Sequence, residues 1–182
     1  ADVAAGDADG AVGAPITFTG PTNGAVADFV GLGLAGGNGF VFSNARNVRL
    51  RSVTVRRYST NGVRLLGAST NNEIRGCRVF SNEIQGITLN EESVDGNRVW
   101  SNDISANGGS GGSGHAGVFI QNGDRNIVRN NVVSANNSDG IHVLGFSESN
   151  SIVSNTIHYN NFAGVRFLFA SRNTIESKHI CG

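Results

Sequence analysis

Residues 97–104 read Asn-Arg-Val-Trp-Ser-Asn-Asp-Ile, and this pattern occurs five times along the chain. Each copy has an asparagine, an apolar residue two positions on, a second position that is usually small and polar, and a closing apolar residue. The copies begin at residues 72, 97, 126, 150 and 173, so their starts lie 25, 29, 24 and 23 residues apart. A nearly fixed period of this length is typical of a solenoid, in which each repeat forms one coil.

A second repeated pattern, Gly-apolar-x-apolar, accompanies the first. It begins at Gly62, Gly86, Gly117, Gly140 and Gly164, and only the third copy is displaced, by a glycine-rich insert within residues 107–115. Apolar residues that alternate with others over so short a segment indicate a β-strand rather than a helix. Residues 39–42 and 16–18 carry the same alternation, and we expect both to extend this sheet toward the N-terminus.

These two patterns predict the fold. Each coil should hold two or three short strands, each paired with its equivalent in the next coil about 4.8 Å away. The predicted class is all-β, a right-handed parallel β-helix of about seven to eight coils that forms a single domain over residues 1–182. The sequence contains no methionine, so residue 1 is not an initiator, and we interpret the chain as a processed form or a fragment.

The asparagines of the repeat are predicted to point inward, where polar groups need hydrogen-bond partners. An amide side chain offers both a donor and an acceptor, so asparagines stacked in successive coils can bond to one another as ladders. Three columns are expected: 72/97/126/150/173, 77/102/131/155/178 and 82/107/136/160. Cys77 and Lys178 interrupt the second column, and Lys178, which has no acceptor, should mark where the stack ends or is covered.

The composition argues against several classes of protein. Only 15% of the residues are charged and the formal net charge is zero, which is not typical of a disordered chain or of one that binds nucleic acid. No apolar run approaches the ~18 residues of a membrane-spanning helix. Cys77 and Cys181 lie four coils apart in this register, about 19 Å at the strand spacing, so we expect them not to form a disulfide.

No cofactor and no metal site is predicted. Residues 31–36 read Gly-Leu-Gly-Leu-Ala-Gly, which has the spacing of a dinucleotide-binding fingerprint. A turn and a strand are expected after it, however, whereas such a site requires a helix. Residues 7–10, Asp-Ala-Asp-Gly, lack the distal acidic residue of a calcium loop, which favours a plain turn.

From about residue 14 to residue 182, the repeats resemble those of the right-handed parallel β-helix superfamily. Its members include pectate lyases, polygalacturonases, mannuronan epimerases and phage tailspikes. The resemblance implies the fold and suggests polysaccharides as ligands. The calcium-binding aspartates of pectate lyases, the aspartate trio of polygalacturonases and the Asp-Pro-His motif of epimerases are absent from the sequence.

The outer face of the Gly-apolar-x-apolar sheet is the candidate site. Its central column is predicted to contain Thr17, Val41, Arg64, Thr88, Phe119, His142 and Arg166. The candidate catalytic residues are His142 as general base, Arg166 as a clamp for a substrate carboxylate, and Asp139, three residues from His142, to orient the imidazole. The candidate substrate-binding residues are Arg64, Thr88, Phe119, Gln121 and His115. An ordinary polar sheet face is the alternative interpretation.

Two functions follow from this sequence. The first is a secreted protein that binds or acts on polysaccharide, lyase- or epimerase-like toward acidic glycans, located outside the cell or on its surface. The second is a non-catalytic structural solenoid, such as an adhesin or a filament subunit that associates end to end, because the ends of a solenoid expose unpaired strand edges.

Arginine supplies thirteen of the fourteen basic residues. These arginines form either a patch for an anionic polymer or cross-coil pairs on the outer faces. The register places Glu73 between Arg49 and Arg98, and Trp100 between Arg75 and Arg129, where cation–π contacts are expected. Pairing is the interpretation that the sequence favours.

Overall fold

The computed structural model describes residues 3–6, 10–11, 13–21, 27–31, 37–109, 112, 114–176 and 179–180. This part of the chain contains twenty-one β-strands and no helix, and the strands form three parallel seven-stranded sheets. The protein is therefore a parallel β-helix, and each of its seven coils contributes one strand to every sheet, as the repeat predicts. Since no helix is present in the described part, none there is long and apolar enough to cross a membrane.

The three sheets are numbered in the order in which the chain enters them. Sheet 1 contains β1 (Val3–Gly6), β4 (Phe40–Ser43), β7 (Val63–Leu66), β10 (Gln85–Asn90), β13 (Ala116–Gln121), β16 (Asp139–Leu144) and β19 (Val165–Leu168). Sheet 2 contains β2 (Ile16–Thr19), β5 (Val48–Arg51), β8 (Glu73–Arg75), β11 (Arg98–Trp100), β14 (Ile127–Arg129), β17 (Ser151–Val153) and β20 (Thr174–Glu176). Sheet 3 contains β3 (Ala27–Val30), β6 (Val53–Arg56), β9 (Arg78–Phe80), β12 (Asp103–Ser105), β15 (Val132–Ser134), β18 (Thr156–His158) and β21 (His179–Ile180).

One predicted strand lies in a different sheet. Ile16–Thr19 pairs with Val48–Arg51 in sheet 2, whereas the partner of Val41 in sheet 1 is Ala4. The prediction that Thr17 stands in the column of Val41 was therefore wrong, and Thr17 instead lies beside Arg49. The alternation of apolar residues is the same in all three sheets, so it predicts a strand without telling which sheet the strand joins.

The core consists of the inward side chains of all three sheets. The predicted inward positions are buried to within 1% exposure at Ile74, Val79, Val99, Ile104, Val133, Ile152 and Ile157. Phe42, Leu65, Ile87 and Ile120 of sheet 1 pack into the same cluster. Each complete coil adds at least four such residues, for example Val128, Val133, Ile141 and Val143, so the core extends along the axis.

The three asparagine columns form the predicted ladders. The amide of Asn131 uses its full capacity: Oδ1 accepts from the backbone N–H and the side-chain Nδ2 of Asn102, at 2.9 and 3.0 Å. Its Nδ2 donates to Oδ1 of Asn155 at 3.0 Å and to the carbonyl of Val99 at 2.9 Å. Each ladder thus ties a turn to the turns before and after it, and no amide in the middle of the column lacks a partner.

The second asparagine column, at positions 77/102/131/155, lies at the bend between sheets 2 and 3. The residue before each ladder position has a left-handed backbone, with φ of 61° at Gly76, 55° at Ser101, 54° at Asn130 and 55° at Ser154. One residue in this conformation turns the chain sharply. The ladder asparagine that follows is then directed into the core, where it bonds across the bend.

Some predictions are only partly covered by the described residues. Cys77 is buried with a free thiol, whereas Cys181 lies outside the described residues, so the expected absence of a disulfide stays a prediction. Lys178 and residues 7–9 and 32–36, which carry the rejected calcium-loop and dinucleotide patterns, also lie outside them. Burial raises the pKa of the Cys77 thiol to about 11, so this cysteine is an inert rung of the ladder.

Replacing Asn131 by leucine should lower the free energy of unfolding by roughly 1 to 3 kcal/mol, because Asn102, Asn155 and the Val99 carbonyl each lose a buried partner. Chemical denaturation measures this difference. Asn161→Leu is the matched control, since that exposed amide bonds only to Asn137 at the surface, and its effect should stay within about 0.5 kcal/mol. Equal stability of the two variants would contradict the ladder's contribution.

Candidate functional site

The outer face of sheet 1 holds the predicted column. Strand pairing places Arg64 beside Thr88, Thr88 beside Phe119, Phe119 beside His142, and His142 beside Arg166. Five consecutive coils therefore present these five side chains in one line, as the sequence predicts. The strands that carry the middle three, β10, β13 and β16, are also the longest in the molecule, with six residues each.

The side chains in the middle of this column are buried, although they are on the outer face of the sheet. Thr88, Phe119 and His142 are only 2%, 6% and 2% exposed. By contrast, Arg64 and Arg166 at the two ends are partly exposed. The site is thus a buried polar strip with an arginine at each end, rather than a solvated sheet face.

Asp139, His142 and Arg166 form one cluster in this strip. Oδ2 of Asp139 lies 2.6 Å from Nη2 of Arg166 and 3.3 Å from Nδ1 of His142. Nη2 of Arg166 is also 3.2 Å from the same imidazole nitrogen. The predicted proximity of Asp139 to His142 is therefore observed, and the structure adds Arg166 as a direct partner of the carboxylate.

Aromatic rings complete the walls of the cluster. The imidazole of His142 meets the ring of Phe119 edge to face, with centroids 5.3 Å apart. The guanidinium of Arg166 lies 5.0 Å from the ring centroid of Phe162, a residue that the sequence does not mark as part of the site. Phe162 stands in the turn before β19, outside the strand alternation, so no periodic signal could have identified it.

Burial sets the electrostatics of the cluster. It lowers the pKa of His142 to about 4, and the positive charge of Arg166 acts in the same direction. Burial raises the pKa of Asp139, while the adjacent Arg166 opposes that shift by favouring the carboxylate. At neutral pH the imidazole is consequently uncharged.

The tautomer of His142 decides what it can do. In one tautomer Nδ1 carries the proton and donates it to Asp139, so Nε2 has the free lone pair and can act as a base. In the other, Nδ1 accepts from Arg166, and Nε2 carries the proton and is a hydrogen-bond donor. Nε2 is buried and has no hydrogen-bond partner among the described residues. The cluster therefore has unused polar capacity.

The other predicted binding residues lie around the cluster. Arg64 is 3.8 Å from Glu91, an ion pair that the sequence does not indicate. Gln121 is partly buried at the end of β13. The insert carrying His115 packs against sheet 1: Gln85 donates to the carbonyl of Gly114 at 3.1 Å, and the backbone N–H of Asp139 donates to the carbonyl of His115 at 3.4 Å. His115 therefore joins the site through its backbone.

The sequence was compared with protein-family models. A model described as periplasmic copper-binding protein (NosD) matches residues 31–177, which is most of the chain. The chain belongs to the NosD family. A comparison with curated protein sequences finds no match.

Solved structures with the same fold were also found for this NosD-family chain. A periplasmic alginate epimerase, AlgG carrying T265N, is 17% identical with a TM-score of 0.74 over 95% of this chain. Pectate lyase Pel9A is 17% identical with a TM-score of 0.67 over 96% of this chain. The tailspike protein 2 of bacteriophage CBA120 is 16% identical with a TM-score of 0.61 over 90% of this chain. The chain spans 41%, 56% and 30% of the length of these proteins, and at such identities the likeness shows the fold.

The copper in the family's description was tested against the donor groups present. Copper favours histidine, cysteine and methionine ligands, but the sequence has no methionine and the thiol of Cys77 is buried with a raised pKa. No group of three His, Cys, Asp or Glu side chains that could hold a metal ion occurs among the described residues. The described residues therefore do not fit a copper site.

The lowered pKa of His142 predicts a loss of stability in acid. The unfolded chain binds a proton at this residue below its ordinary pKa of 6.5, whereas the folded protein does so only near pH 4. The free energy of unfolding should therefore fall by roughly 1 to 3 kcal/mol between pH 6.5 and pH 4 because of His142. The raised pKa of Asp139 has the opposite effect: above its ordinary pKa of 3.8, the folded protein binds a proton there more readily than the unfolded chain does, so lowering the pH favours folding. The contribution of His142 is therefore measured as the difference in unfolding free energy between the wild type and a His142 variant.

Denaturation of the wild type and of His142→Gln across this pH range measures that difference. In His142→Gln, the unfolding free energy should fall much less between pH 6.5 and pH 4 than it does in the wild type. His158 is a partly exposed histidine on sheet 3, and His158→Gln should show the same fall as the wild type. Parallel curves for wild type and His142→Gln would refute the assignment.

Proposed function

We propose that this chain is a polysaccharide-binding β-helix that holds an acidic glycan against the outer face of sheet 1. The observation that carries the proposal is the cluster of Asp139, His142 and Arg166, in which the carboxylate and the imidazole are buried on the outward side of a sheet beside a partly exposed guanidinium. Clusters in which burial and a specific charge partner shift pKa values are concentrated at functional sites. The fold's stacking does not require this cluster, since no other coil repeats it.

The similar structures support the ligand class. Two of them are named an alginate epimerase and a pectate lyase, and alginate and pectate are both polymers of sugar acids. Arginine is suited to such a ligand because its planar fork binds a carboxylate through two parallel hydrogen bonds. Arg166 and Arg64 lie four coils apart, at the two ends of the strip, and each would hold a carboxylate of an extended chain running along the axis.

A lyase- or epimerase-like activity is the finer form of this proposal. Arg166 would neutralise a substrate carboxylate and so acidify the adjacent proton, and neutral His142 would accept that proton at Nε2. This requires the tautomer in which Nδ1–H donates to Asp139. It also requires substrate to reach Nε2, which is buried, and to share Arg166 with Asp139.

The proposed setting is outside the cytoplasm. The family is described as periplasmic, and the alginate epimerase of similar fold is named as periplasmic too. An exported location would give the chain access to extracellular or envelope polysaccharide.

Replacing Arg166 by glutamine should weaken binding of oligogalacturonate at least tenfold, because a charge-assisted contact to a carboxylate is lost. Arg64→Gln tests the other end of the strip without removing any member of the buried cluster of Asp139, His142 and Arg166. Arg172→Gln, an exposed arginine paired with Glu148, is the control and should bind as the wild type does. Isothermal titration calorimetry measures all three.

His142→Gln separates binding from turnover. If His142 is the base, this variant should bind oligogalacturonate normally but form no unsaturated or epimerised product. Unchanged binding in both Arg166→Gln and Arg64→Gln would show that the sheet 1 face does not hold the glycan.

A structural solenoid is the second candidate, and the ends of the described β-helix favour it. Ile175 and Ile180, the inward residues of the last coil, are each 44% exposed, and Ile16 and Phe18 of the first coil are 39% and 37% exposed. The first and last described coils therefore expose apolar side chains, as an end-to-end contact between subunits would require.

If the chain associates end to end, sedimentation velocity should show particles that grow with concentration. Ile175→Lys, which places a charge on the exposed end, should return them to monomers. A monomer at every concentration would exclude this role for the isolated chain.

A further inference from the structure

The outer face of sheet 2 is the most basic surface in the described part of the chain. Strands β5, β8, β11 and β14 carry two outward columns there, which we call the sheet 2 face. The first column runs Arg49, Glu73, Arg98, Ile127, and the second runs Arg51, Arg75, Trp100, Arg129. Five arginines thus stand on four successive coils of a protein whose net charge is zero.

Glu73 is the one acidic residue in these two columns. Glu73 is buried and accepts from Arg51, with Nε at 2.7 Å and Nη2 at 2.6 Å from Oε1. The cross-coil pairs expected between Glu73 and its column neighbours Arg49 and Arg98 are therefore absent. Arg49, Arg75, Arg98 and Arg129 form no ion pair with any described residue.

Sheet 3, by contrast, contains cross-coil ion pairs. On sheet 3, Arg56 lies 2.7 Å from Asp28 and Arg78 lies 3.5 Å from Asp103. The sheet 2 face therefore differs from sheet 3, where an arginine on one coil is paired with an acidic residue on the next or the preceding coil.

The four unpaired arginines are evenly placed. Each stands on a different coil, and they alternate between the columns: Arg49 in the first, Arg75 in the second, Arg98 in the first, Arg129 in the second. Their axial spacing is one coil, about 4.8 Å, which is close to the length of one residue in an extended pyranose chain. A polyuronate carries one carboxylate per sugar residue, and in a two-fold chain successive carboxylates point to opposite sides.

Trp100 holds two of these arginines in place. The guanidinium carbons of Arg75 and Arg129 lie 4.5 and 5.1 Å from the indole centroid, on the coils before and after it. The predicted cation–π arrangement is thus confirmed, and it reduces the freedom that two exposed side chains would lose on binding. Depressions of about 330 and 250 Å³ adjoin Arg98, one beside Trp100 and Arg129 and the other beside Arg49.

We propose that the sheet 2 face is a second polysaccharide site, which binds an extended polyuronate with one carboxylate at each unpaired arginine. It lies on a different sheet from the cluster of Asp139, His142 and Arg166, so it goes beyond the proposed function and does not depend on it. A single-stranded nucleic acid fits this face less well, because its bases need an open aromatic face for stacking. Arg75 and Arg129 flank the indole of Trp100 on the two neighbouring coils.

The single tryptophan makes this face directly observable. Trp100 is the only tryptophan of the chain, so its fluorescence reports the sheet 2 face and not sheet 1. Titration of the full chain with oligogalacturonate should change the emission in a saturable, salt-sensitive way. Arg98→Gln/Arg129→Gln should raise the Kd from this signal at least tenfold.

The matched control is Arg56→Gln/Arg78→Gln, which removes the same charge from sheet 3 and should change the Kd less than twofold. Arg166→Gln should leave the fluorescence titration unchanged, so the sheet 1 and sheet 2 proposals fail separately. Equal Kd values for the sheet 2 and sheet 3 double variants would overturn the site. Tighter binding of an oligonucleotide with the same number of charges than of oligogalacturonate would overturn the assigned ligand.

Discussion

The structure depends on one constraint: nearly every residue of a coil is stacked on its own equivalent in the coils before and after it. A parallel register leaves little choice of neighbours, so each inward position must tolerate a copy of itself about 4.8 Å away. Apolar residues meet this condition by packing. Among polar residues asparagine meets it best, because its donor faces the next acceptor in the same column, as Asn102, Asn131 and Asn155 show.

At outward positions the same stacking places charged side chains close to one another. A repeated charged position places like charges on neighbouring coils, which is unfavourable unless signs alternate or something separates them. Sheet 3 uses opposite charges. Arg78 is followed by Asp103 in the same column, and Asp28 pairs diagonally with Arg56 of the next coil. Sheet 2 uses separation, since Trp100 stands between Arg75 and Arg129. That device keeps the guanidiniums apart without neutralising them, so the face retains its positive charge.

The parts of the fold that repeat could be predicted from the sequence, and the parts that do not repeat could not. The ladder asparagines set the register from residue 72 onward, so the columns of Val99 and Ile104 were assigned correctly. Residues 1–22 contain no asparagine, and there Ile16 was assigned to the wrong sheet. Alternation predicted the direction of His142 but not its burial, because burial also depends on how its neighbours Phe119 and Arg166 pack against it. The pairing of Glu73 with Arg51 rather than with Arg49 or Arg98 likewise depends on how a long side chain bends.

The cluster of Asp139, His142 and Arg166 is a feature that does not repeat from coil to coil. In the strand register Asp139 is aligned with Ala116, which is aligned with Gln85, so no other carboxylate stacks on it in the two preceding coils. The stabilising interactions of a β-helix are those that every coil repeats, whereas this buried group of Asp139, His142 and Arg166 occurs once. Its burial carries a desolvation cost that the fold could avoid with apolar residues of similar size. This costly, unrepeated group in a fold built from repeats is therefore the reason why we propose a binding role for it rather than a purely structural one.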